Sequence, residues 1–322
     1  MVDKLENIQK NNSIENIFSL KNLEFNKIIS MLDSHAHSSL GKKLVKQLHP
    51  ERIPWQIIHH QNETTEAREF IDREERLPSF GNLIDVRDLI TVAIKGSTLT
   101  VPKLWDIAGT IRSIRLTKEA LSNSIGTYSL LGEYALHLTA FSNLEENLFF
   151  SLEDEETIAD KATSELKKLR HNLREKNYQI QERSKKLARK YSSNNLLTDS
   201  TFTIRNNRYV LPFSSGAMGR EKVIIQSSSE SGLTFYGEPL ELVELNNELQ
   251  RAYQLVRNEE EKILQMLTSQ VGIAGDRIIP CIEICGYLDF IFAKGYLSRQ
   301  LNAVRPVYCP DDINLNDVRH PL

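Results

Sequence analysis

Apolar positions along the chain recur at helical spacing for most of its length. Leu23, Ile28, Ile29 and Leu32 mark a first helix. Ser38 is placed as an N-cap ahead of Leu40, Leu44, Val45 and Leu48, and Pro50 closes that segment. Pro54 sits where a first-turn proline belongs, before Trp55, Ile58, Ala67 and Phe70. A loop at 77–82 follows, and Pro102 opens a helix carrying Leu104, Ile107, Ala108, Ile111 and Ile114. Residues 20–150 therefore read as the first part of a helical core, behind a polar, flexible N-terminus at 1–19.

The pattern then changes. No glycine or proline falls between Gly132 and Pro212. Ser151 and Asp154 have capping-box spacing, and the acidic run Glu153–Glu156 suits the positive end of a helix dipole. Ile158, Ala162, Leu166, Leu169, Leu173, Ile180, Leu187 and Tyr191 then repeat in steps close to heptads, with Lys176 and Arg183 or Ser184 at the two missed positions. The spacing predicts a helix over Thr157–Tyr191, roughly 50 Å long at 1.5 Å per residue, within a lever segment at 151–200. A matching seam (Leu242, Leu245, Leu249, Ala252 or Tyr253, Val256, Ile263, Leu267, Val271) fills 240–272, with Gly272 as its stop. Between the two, 201–239 alternates like strands: Phe202 to Leu211 around an Asn206-Asn207 turn, a loop at Gly216–Gly219, then Val223–Ile225 and Leu233–Tyr236 around a serine-rich turn. A second helical core part is expected at 273–305, and 306–322 is extended. The fold class is mainly α: a helical bundle core with a long antiparallel coiled-coil arm tipped by a small β-rich clamp.

Composition fits this reading, since 14 glycines and 10 prolines in 322 residues are too few for a sandwich or barrel. The net charge of -3 gives no whole-chain reason to expect a polyanionic partner. Local charge does. From Lys161 to Lys190 there are eleven Lys or Arg against Glu165, Glu175 and Glu182. A basic stripe on a long helix is the footprint of phosphate contacts, although charge runs on paired helices are often only solvated faces. The candidate nucleic-acid contacts are Arg183, Lys185, Lys186, Arg189 and Lys190 on the helix, with Arg205, Arg208 and Lys222 at the tip, where acids balance the cations more evenly.

Other chemistry is sparse. His35 with His37 and the pair His59-His60 lack metal-ligand spacing, and Cys281 with Cys285 read as small buried hydrophobes. There is no GxxxxGK[ST], GxSxG, GxGxxG or paired CxxC. No catalytic, cofactor or metal residue is assigned. Three cysteines without a framework suit a reducing cytoplasm, and neither a signal peptide nor a membrane span is expected.

Several stretches resemble the core and clamp domains of MutS proteins, and more specifically the type-two paralogue that lacks the mismatch-recognition domain. They are Leu23–Ile28, Ser39–Lys42, Glu63–Ala67, Arg205–Pro212, Ser229–Thr234, Glu238-Pro239, Leu245–Leu249 and Arg319–Leu322. The likeness is collinear from about Leu20 to Leu322. The chain departs from the family pattern at Gln226-Ser227, in place of a histidine–aspartate pair, and at Gly96-Ser97, in place of a double glycine. The resemblance implies part of a larger cytoplasmic protein, with 306–322 leading into an ATPase domain that uses ATP and magnesium, and in many members an Smr nuclease domain. It implies a homodimer acting on branched or duplex DNA, in mismatch repair or the restraint of recombination, or on ribosomal RNA in ribosome rescue. The alternative function is an interaction module that docks a protein or ribosomal surface.

Overall fold

A computed structural model describes residues 20–217, 219–309 and 312–322, so the expectation for 1–19 lies outside the described residues. The chain divides into two compact units, one of residues up to Phe149 together with Leu267–Leu322 and one of Phe150–Met266.

The first unit is helical. Its elements are α1 (Phe25–His35), α2 (Ser39–Lys46), α3 (Pro54–Arg73), α4 (Arg87–Ile94), α5 (Val101–Ala120), a 3-10 turn at Leu121–Ser124, α6 (Ser129–His137) and α7 (Ser142–Ser151). The C-terminal part of α9 (Leu240–Gln300) completes it. Ser38 caps α2 as expected: its Oγ accepts from Gly41 N at 2.9 Å and donates to buried Asp289 at 2.6 Å. Pro54 occupies the first turn of α3. Phe70, Ile107, Ile111, Ile114, Leu288 and Phe292 form a core from which water is excluded, and the rings of Phe70 and Phe292 meet edge to face at 5.6 Å.

The expected stop at Gly272 does not occur, because α9 runs through Gly272, Gly275 and Pro280 without a break. Both glycines serve packing instead. A Cβ on Gly272 would lie 2.8 Å from the Ala93 carbonyl oxygen, and one on Gly275 would lie 2.7 Å from Ile94 Cδ1. Close approach of α4 and α9 requires a bare backbone face there, and that requirement overrides glycine's preference for helix ends.

The histidine pair also finds its place in this unit. His59 and His60 flank the fully buried Glu63, whose carboxylate takes Tyr134 OH at 2.7 Å, Tyr287 OH at 3.1 Å and Lys294 Nζ at 3.5 Å. Burial alone would raise the Glu63 carboxyl, but the Lys294 charge and the His60 and tyrosine hydrogen bonds outweigh it and hold it below its ordinary value. Cys281 and Cys285 are buried in α9, as their apolar neighbours suggested.

The second unit holds α8 (Ser164–Ser193), the first part of α9, and strands β1 (Thr203–Arg205), β2 (Arg208–Ser214), β3 (Val223–Ser228) and β4 (Thr234–Pro239). The helix starts seven residues later than Thr157. Ser151 ends α7, and Leu152 bridges Ile158 as a short β-pair closed by Asp154, which accepts from Glu156 N at 2.9 Å and Thr157 N at 2.7 Å. Glu153–Glu156 is therefore a turn and not a helix start. The working cap is Thr163, whose Oγ1 accepts from Leu166 N at 2.9 Å.

Ion pairs fix how α8 and the start of α9 run. Arg170 meets Glu260 at 2.7 Å, Lys176 meets Glu248 at 2.7 Å, and Arg183 meets Glu241, so partners fall along α9 as they rise along α8. The two are antiparallel neighbours, with Ile180, Leu187, Tyr191, Leu242 and Leu249 buried together. The strands form one antiparallel sheet in the order β1-β2-β4-β3. Asn206 and Asn207 both adopt left-handed backbone, φ 50° and 61°, as a tight two-residue hairpin turn demands. Among the described residues no helix is long and apolar enough to cross a membrane.

Candidate nucleic-acid interface

The basic stripe of α8 resolves into two groups according to what each cation meets. The inner group is neutralised by acids. Arg170 lies 2.7 Å from both Asp160 and Glu260, and Arg174 lies 3.3 Å from Asp160. Lys176 is on Glu248, while Arg183 and Lys190, the latter at 3.6 Å, share Glu241. Lys185 folds back on Glu182 at 2.8 Å. These cations leave their mark on the acids: the Arg170 hydrogen bond holds Asp160 low, and Lys176 does the same to Glu248.

The outer group is exposed and without direct ion pairs, although behind the Lys185 hydrogen bond Lys186 and Arg189 add to the positive field that holds Glu182 low. Among the described residues Lys167, Lys168, Lys186 and Arg189 hold no hydrogen bond or ion pair. Lys168 and Lys186 lie about five turns apart and so share one azimuth, with Arg189 roughly 60° and Lys167 roughly 100° round from it on the same side. Tyr178 stands on the same flank with 67% of its surface exposed. Charge counting alone did not single out Lys167, Lys168 or Tyr178. Local spacing could not have found Lys167 and Lys168, because no Lys or Arg of α8 has an acid at i+4 and the acids that take the paired cations lie mostly outside the helix.

At the sheet the predicted contacts divide in the same way. Arg205 is exposed, its guanidinium 4.5 Å from the centre of the Tyr236 ring, and Lys222 is exposed next to β3. Arg208 is engaged within the fold. It donates to Glu238 at 2.6 Å and to Asn247 Oδ1 at 2.6 Å, and Glu238 is fully buried. The same carboxylate accepts from Asn246 at 2.9 Å and Gln226 at 2.8 Å. Asn246 pairs with the Tyr209 backbone in both directions, at 2.8 and 3.1 Å, and Tyr209 OH donates to Asn177 on α8 at 2.7 Å. One network thus joins β2, β3 and β4 to both helices. Arg208, Tyr209, Glu238, Asn246 and Asn247 come from three of the short stretches that carried the family likeness. Within this structure those motif residues lock the sheet in place.

A helical unit together with a basic antiparallel helix pair carrying a small sheet resembles the core-and-clamp region of MutS proteins. The chain is similar to the type-two paralogue over most of its own length. It is 32% identical over 308 residues to the proteins named Endonuclease MutS2 of Bacillus cereus (strain Q1) and Bacillus thuringiensis (strain Al Hakam). Each alignment takes in 94% of this chain and 39% of the relative, so the chain spans about two fifths of the length of these relatives. No family model matches the chain.

Proposed function

We propose that the chain binds nucleic acid through the outer flank of α8 and the exposed cations of the sheet, as the gripping part of a MutS-type DNA-binding protein. The observation that carries the reading is the unpaired set Lys167, Lys168, Lys186 and Arg189 on one flank of a helix whose other cations are neutralised. Unpaired cations keep their full charge for an incoming phosphate, whereas a cation already on a carboxylate must give up that contact first. The expected ligand is duplex or branched DNA, since phosphates on a backbone are what such a row can meet without reading bases. Mismatch repair, recombination control and action on ribosomal RNA, a homodimeric state, and a cytoplasmic setting belong to the same proposal through the family likeness.

ATP and magnesium are expected for MutS-type action, but the residues of this chain do not fit them. No Walker loop occurs in the sequence, and among the described residues no three metal-ligating side chains come together.

The test is binding of labelled duplex and branched DNA at a series of salt concentrations. Replacing Lys167, Lys168, Lys186 and Arg189 together with glutamine should make the logarithmic salt dependence shallower by roughly 3 to 4, since each duplex phosphate contact contributes roughly 0.9. Unchanged affinity and unchanged slope would refute the interface. Binding to purified ribosomes that tolerates all four changes would favour the docking alternative.

A further inference from the structure

The second unit contains a groove of about 1020 Å³ between α8, the β1–β2 hairpin and α9. Its floor is apolar, from Leu173 and Leu249, and its walls carry Tyr253 and Ile204, which are 47% and 51% exposed. Arg174 and Arg257 are exposed members of its lining, which also includes Glu260, neutralised by Arg170 at 2.7 Å. Among the described residues Arg257 has no hydrogen bond or ion pair, and Arg174 has only its 3.3 Å contact with Asp160. Tyr253 and Arg257 are one helical turn apart, so ring and guanidinium face the groove together. Arg174 is also one turn from Tyr178 on α8, which makes the lining continuous with the basic flank.

We infer that this groove takes unpaired nucleotides: a base stacks on the exposed face of Tyr253 while Arg174 and Arg257 hold the phosphates on either side. The inference rests on the nucleic-acid reading above and narrows it to a strand with free bases. A duplex buries its base faces in its own stack and cannot use the ring, whereas a single strand offers a π-face at each nucleotide. A half-exposed aromatic ring flanked by guanidinium groups is suited to that ligand. An acidic peptide would use the arginines but leave the ring and the apolar floor without a matching group.

The experiment uses the full 322-residue chain and fluorescence anisotropy with three probes: an oligo-dT strand, an abasic strand of the same length, and a blunt duplex. Tyr253→Ala should weaken oligo-dT binding by about 5- to 150-fold, the range that loss of one stacked base gives. It should change duplex and abasic binding less than about twofold, and Tyr253→Phe should restore the oligo-dT affinity. Arg257→Gln should weaken both single strands and reduce their salt slope by roughly 0.7. Duplex binding with no Tyr253 effect on oligo-dT would overturn the groove assignment while leaving the basic flank intact. A Tyr253→Ala loss of equal size on all three probes would mark the residue as structural and overturn it too, as would displacement of oligo-dT by poly-glutamate with no dependence on Tyr253. Failure of the wild-type chain to bind any probe would overturn both readings.

Discussion

Glu238 offers the sharpest test of how the sheet is held. Its side chain is buried, and it accepts from Arg208 at 2.6 Å, Gln226 at 2.8 Å and Asn246 at 2.9 Å. Glu238→Ala removes all three acceptor contacts and leaves a guanidinium that is only about a quarter exposed without its counter-charge, held by Asn247 alone. A hydrogen bond to a charged group contributes roughly 1.5–3 kcal/mol, and partial exposure of Arg208 places its share at the lower end. Two donors left with poorer partners add about 1 kcal/mol, so the expected local loss is about 2 to 4 kcal/mol. Hydrogen exchange reads this directly. Protection of the β2–β4 ladder, paired from Leu211↔Gly237 to Ser214↔Thr234, should fall by about 30- to 900-fold. Tryptophan fluorescence should stay unmoved, because Trp55 and Trp105 both lie in the other unit. Arg183→Gln, which removes an exposed ion pair, provides the control and should lower protection less than about fivefold. Ladder protection within threefold of wild type in Glu238→Ala would refute the idea that this carboxylate holds the sheet.

Two further predictions concern the helical unit. Gly272→Ala places a methyl 2.8 Å from a backbone oxygen that cannot swing aside, and should cost about 1 to 3 kcal/mol in urea unfolding followed by tryptophan fluorescence; an unchanged midpoint would show that α4 and α9 are free to separate. Glu63 is held below its ordinary 4.5, so the folded state binds its proton less readily than the unfolded chain does. Its contribution is fully present above about pH 4.5 and is lost as the pH falls through the lower folded value. The same urea midpoint should therefore drop more between pH 6 and pH 4 in wild type than in the Glu63→Gln, Lys294→Met double variant, and equal drops would refute the assignment.

Much of the architecture was legible because periodicity is a local property. Leu166, Ile180, Leu187 and Tyr191 are buried where the seam placed them, Ser184 fills one of its gaps, and the Asn206-Asn207 turn follows from its two residues alone. What escaped depends on distant neighbours. Ile158 keeps the seam's rhythm yet belongs to a β-bridge, since Leu152 was available to pair with it and Thr163 was the better cap. Gly272 reads as a helix stop until α4 is packed against it. Arg208 lies in a basic motif, and only the folded chain shows that Glu238, thirty positions on, already holds it. Net charge over a window says nothing about which cations are spoken for, so the stripe was visible in the sequence while its free members were not.

The division of acids between the two paired helices has an electrical consequence. Over Ser164–Ser193, α8 carries ten Lys or Arg and three acids, whereas α9 from Leu240 to Met266 carries three Lys or Arg and six acids. The pair is therefore polarised across its width, with a moment lying crosswise to its long axis. A polyanion approaching within a Debye length, about 8 Å at physiological ionic strength, would exert a torque that rolls the α8 side towards it before any contact forms.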